Sequence, residues 1–80
     1  MKHVSIVVRA MWDDEARVWV ATSNDIDGLA VEADTMETLQ QKVLDAIADL
    51  IELNGLESDD REIPVHIMAE HLAKVPNPCF

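Results

Sequence analysis

From Val4 to Ala10 the residues alternate, with Val4, Ile6, Val8 and Ala10 on one side and His3, Ser5, Val7 and Arg9 on the other. That is the period of a strand with one dry face. A polar turn, "WDDEA", follows, and "RVWVATS" returns as a second strand with Val18, Val20 and Thr22 opposite Arg17, Trp19 and Ala21. So short a connection implies an antiparallel hairpin. "NDIDG" is a second turn, in which Asx side chains can bond their own backbone and Gly28 is free to take positive φ. "LAVEA" then makes a short third strand, Leu29, Val31 and Ala33 inward and Ala30 and Glu32 outward.

The helix carries the strongest signal. Asp34 with Glu37, or Thr35 one step later, supplies its N-cap. Leu39, Val43, Ile47, Leu50 and Leu53 recur at helical spacing, Gln41, Asp45, Asp49 and Glu52 mark a polar face, and Asn54–Gly55 closes the element. About 19 residues at about 1.5 Å each reach about 29 Å, enough to cross a small sheet. After a polar loop, "IPVHIMAEHL" alternates again, with Ile63, Val65, Ile67 and Ala69 opposite Pro64, His66, Met68 and Glu70. Its proline suits a sheet edge. A crossover through the helix, right-handed by the usual rule, brings this strand parallel to the first. The expectation is an α+β domain of order β-β-β-α-β, a mixed four-stranded sheet with strand order 3-2-1-4 and one helix on one face. Residues 1–72 form the single domain and 73–80 an extended tail.

Charge narrows the function. Sixteen acids against six bases give a formal charge of −10, which repels phosphate backbones and anionic lipid. No direct binding to nucleic acid or membrane is expected; a basic protein would be attracted. Cys79, the single cysteine, allows no internal disulfide. Neither a membrane-length apolar run nor a cleavable leader is visible, so a cytoplasmic protein is expected.

Candidate chemistry is sparse. Asp13, Asp14, Asp25, Asp27 and Asp34 invite a two-metal nuclease reading, but that chemistry needs a carboxylate within the first strand, and the residues from His3 to Arg9 contain none. His3, His66 and His71 make an incomplete metal set, fitting half-exposed histidines better than ligands. No nucleophile–base pair or phosphate loop is present. The expectation is a non-enzyme with no catalytic residue, no metal and no cofactor.

"NDIDGL" (residues 24–29) and "ADTMETL" (33–39), with Trp19 preceding them, resemble the N-terminal domain of HicB antitoxins. Asp25, Gly28, Asp34, Thr35 and Glu37 match that family's P-D-L-P-G-C and G-D-T-x-E-E-A motifs in spacing and type. Asn24 and Asp27 replace its two prolines and Leu29 its cysteine. More closely, "WDDEARVWVATSNDIDGLAVEADT" followed by a helix ending "ELNG" resembles an uncharacterised bacterial domain family related to HicB, over roughly residues 2–70. The resemblance implies a partial RNase H-like fold and an antitoxin-type neutraliser of a small basic ribonuclease, HicA. HicB proteins usually add a DNA-binding domain after this one, and the sequence here stops after the fourth strand, so a module without its own DNA-reading half is expected.

Two surfaces are expected to serve binding. Val7, Arg9, Trp19, Ala21, His66 and Met68 are assigned to the helix-free face, a band flanked by Arg9, Arg17 and Glu70 that suits a homo-oligomer, contact with a different protein, or cover by the C-terminal tail. Asp25, Asp27, Asp45, Asp49 and Glu52 are the acidic docking candidates. The alternative is an orphan domain that associates only with itself.

Overall fold

A computed structural model describes residues 4–55, 58 and 61–80. The elements are β1 (Ile6–Asp13), β2 (Val18–Thr22), β3 (Ala30–Ala33), α1 (Met36–Asn54) and β4 (Val65–Glu70). They form an α+β fold with one four-stranded sheet of order β3-β2-β1-β4. β2 pairs antiparallel with both β1 and β3, while β4 runs parallel to β1 at the far edge.

β1 is longer than the alternation from Val4 to Ala10 suggests. Met11, Trp12 and Asp13 continue the strand, pairing with Val20, Trp19 and Val18. The turn is therefore confined to residues 14–17. The Asp13 carboxylate accepts from the backbone N–H groups of Glu15 and Ala16, Arg17 N–H donates to Asp13 carbonyl, and Arg17 takes a left-handed φ of 59°. One turn thus satisfies its own polar backbone groups while reversing the chain.

Thr35, not Asp34, is the N-cap: its Oγ1 accepts from Thr38 N–H at 3.2 Å. Gly55 closes the helix at φ 66°, its N–H bonding the Ile51 carbonyl, the left-handed ending that glycine takes without a Cβ penalty.

The core lies between sheet and helix. Ile6, Val8 and Ala10 of β1, Ala21 of β2 and Ala33 of β3 are buried beneath Leu39, Val43 and Ile47. α1 approaches β3 and β2 most closely, where alanines leave room for it. Two positions differ from the sequence pattern. Leu53 is 80% exposed, with Ile51 instead packing on the core. Ile26, inside the second turn, is buried and belongs to the core.

Beyond β4, residues 71–80 form neither helix nor strand and are all exposed. The radius of gyration is 15.6 Å and the longest extent 55 Å, whereas 80 compact residues would give about 12 Å. The tail extends away from the body.

Candidate functional site

Strand register decides which side chains share a face. Ala10 pairs with Ala21 and Trp12 with Trp19, so all four lie on the helix side with Ile6 and Val8. Trp19 and Ala21, expected on the helix-free face, are therefore on the other one. Ala21 is fully buried and Trp19 half-buried against the core. Arg17 does not flank the open face either, because it sits in the hairpin turn. As a turn residue it carries no information about the faces of β2.

The open face is instead built from Val7, Arg9 and Met11 of β1, Val20 and Thr22 of β2, Ala30 and Glu32 of β3, and His66, Met68 and Glu70 of β4. Val7, Arg9, His66 and Met68 are thus placed as expected. Arg9 lies between Thr22 and Met68, and Met11 between Val20 and Glu70. Met11 and Met68 are 57% and 56% exposed. Met11 and Val20 join this face, unlike the sequence pattern, because β1 continues past Ala10 and β2 has the opposite parity.

On the helix side, Trp12 and Trp19 meet edge-to-face at 5.4 Å between ring centroids, with His71 at 6.0 and 6.1 Å from the two. The Arg17 guanidinium sits 5.5 Å over the Trp12 ring. This aromatic cluster fastens the start of the tail to the first hairpin.

The five acidic candidates have different duties. Asp25 is structural: its carboxylate accepts from Val7 N–H at 2.8 Å, while Ser23 Oγ donates to Val7 carbonyl at 2.7 Å and accepts from Asp25 N–H. Where β2 stops pairing at Thr22, these two side chains complete the β1 ladder in place of backbone. Asp27 offers its carbonyl to Asn54 Nδ2, which ties the turn to the C-terminal end of α1. Its carboxylate, with those of Asp49 and Glu52, has no cationic partner among the described residues. Asp45 accepts from Gln41 Nε2 at 3.1 Å. Asp45, Asp49 and Glu52 stand at i, i+4 and i+7, one stripe of the exposed helix surface. Asp49, Glu52 and the exposed Leu53 line a shallow depression, and Asn24–Asp27 with Asn54 line another beside it.

Among the described residues no group of three His, Cys, Asp or Glu side chains is placed to share a metal. His66 lies on the open face and His71 against the tryptophans; His3 lies outside the described residues. β1 does end on an acid, Asp13, but at its tip and engaged by the turn rather than mid-strand. Asp14 pairs with Arg17 at 3.0 Å, both side chains well exposed. Cys79 is free and exposed, and no helix among the described residues is long and apolar enough to cross a membrane.

A family model described as "Domain of unknown function (DUF1902)" matches residues 5–76. No curated protein matches the chain. Among solved structures, the hypothetical protein TTHA1013 from the extremely thermophilic bacterium Thermus thermophilus is 39% identical, with a TM-score of 0.70; the match covers 92% of this chain and 100% of that one.

Proposed function

The chain belongs to the DUF1902 family, and we propose that its domain is a HicB-like protein-binding module, holding a small basic protein of the toxin-type ribonuclease class against its acidic surface. The observation that carries this reading is the placement of Asp49 and Glu52. They lie near the C-terminal end of α1, the negative end of the helix dipole, and no basic residue occupies the last turn. A carboxylate in the last turn, as Glu52 is, repels the dipole and costs the free domain stability, and Asp49 one turn before it adds like charge on the same stripe. Residues that break a local rule without compensation among the described residues are the kind found at functional surfaces. A cationic partner supplies the compensation, relieving repulsion along the Asp45–Asp49–Glu52 stripe and at Asp27 together.

The net charge of −10 adds long-range attraction, which raises the association rate and weakens with salt. Neutralisation then follows from occlusion: a basic protein held on the stripe cannot also hold an RNA phosphate chain. The resemblance to HicB in "NDIDGL" and "ADTMETL" supports the same reading.

Titration with a purified HicA-type basic protein tests it. Binding at micromolar concentration or tighter is expected at low salt, weakening at least tenfold between about 50 and about 300 mM salt, and again in the Asp45→Asn, Asp49→Asn, Glu52→Gln triple variant. No binding at low salt rejects the proposal.

A further inference from the structure

The helix covers one side of the sheet, and nothing among the described residues covers the other. On that open side, Val7, Met11, Val20 and Met68 of β1, β2 and β4 place apolar side chains around Arg9, which lies between Val7 and Met11 along β1 and beside Met68. Its charges are few for so acidic a protein: Arg9 stands against Glu32 and Glu70, a formal charge of about −1, with no ion pair to any of the three among the described residues. A basic partner has far more to gain on the helix stripe. A partner for the sheet face has to be nearly neutral, apolar around a central charged contact, and able to present a carboxylate to Arg9 and a cation to Glu70. A second copy of the same face meets all three conditions when related by a two-fold axis.

Area says what else takes part. Four strands about 4.8 Å apart, with five residues rising about 3.3 Å each, span a patch of roughly 300 Å², well short of the about 800 Å² per partner of a stable interface. The tail can supply the shortfall. Leu72, Val75 and Phe80 are among the most exposed large apolar side chains of the molecule, on a segment that leaves the body. A buried phenylalanine alone removes about 150–250 Å² from water.

We infer that two copies pack open face to open face, Arg9 of each opposite Glu70 of the other, with each tail laid across its partner. The helix stripe stays outside this contact, so the dimer presents two acidic surfaces. This inference does not depend on the proposed function.

Sedimentation equilibrium of the full chain between about 1 and 100 µM tests it, with helical circular dichroism confirming that every variant is folded. Wild type is expected at twice 8.9 kDa. Met68→Glu and Val75→Asp should each weaken self-association at least tenfold, while Leu53→Glu on the helix leaves it unchanged. Arg9→Glu should also dissociate the dimer, and the double variant Arg9→Glu/Glu70→Arg should restore it. A wild-type monomer at about 100 µM, or a dimer indifferent to Met68→Glu, overturns the face-to-face arrangement; a dimer indifferent to Val75→Asp overturns the role of the tail.

Discussion

Replacing Asp25 with alanine removes a prop on which the sheet depends. Val7 N–H would lose its acceptor, whereas Ser23, whose hydroxyl receives the backbone N–H of residue 25 and donates to Val7 carbonyl, would keep both bonds. Hydrogen bonds to a charged group contribute about 1.5–3 kcal/mol. Asp25 is exposed and water can reach the freed N–H, so the low end applies, about 1.5 kcal/mol. At about 4–8 °C per kcal/mol for a domain of this size, the melting temperature should fall by about 6–12 °C. Asp25→Asn retains an acceptor oxygen while removing the charge, and should lose about half as much. Thermal unfolding followed by circular dichroism reads both changes. An Asp25→Ala protein melting within about 1 °C of wild type would refute the assignment. The pair also separates structure from binding: Asp25 was a docking candidate, and only the asparagine variant tests its charge in a largely preserved fold.

Three further outcomes follow from the same geometry. Leu39 is fully buried, so Leu39→Ala should cost about 2–5 kcal/mol, much of the roughly 4–12 kcal/mol available to 80 residues, and shift the urea midpoint accordingly. Gly28 has φ 91° and an added Cβ would lie 3.3 Å from Leu50 Cδ2, whereas Gly55 at φ 66° meets open space. Gly55→Ala should therefore cost about 1 kcal/mol and Gly28→Ala measurably more by denaturant titration. Glu52→Gln should raise the stability of the free domain by about 0.3–1 kcal/mol through the helix dipole while weakening capture of a basic protein, and parallel melts and titrations would show the two effects moving in opposite directions.

Where one face of an element is dry, the sequence was legible. The inward triplet Ile6–Val8–Ala10, the Leu39–Val43–Ile47 stripe and the Thr35 and Gly55 caps are each visible as local patterns, and the short turns, the edge proline and the crossover rule add the strand order. β2 was not legible in the same way. "VWVA" is apolar on both sides, so periodicity could not orient it, and only pairing with β1 placed Trp19 and Ala21 under the helix. Long-range register likewise extended β1 through Trp12, whose ring finds Trp19 across the hairpin. Ile26 was hidden among turn residues, and its burial follows from how the turn folds back under α1. The candidate site suffered most from the same cause, because a surface assembled from alternate residues of four strands changes half its membership when one parity is reversed.

The central claim is that this sheet has one face sealed by its own helix and another that a second molecule seals. Methyl NMR of the full chain at about 100 µM, with a soluble paramagnetic agent, reads that directly from Met11 and Met68, using buried Leu39 and exposed Leu53 as internal limits. Both methionine methyls should be shielded nearly as well as Leu39, and should bleach on dilution or in the Arg9→Glu variant. Methionine signals that bleach as readily as Leu53 at the highest concentration would contradict the account.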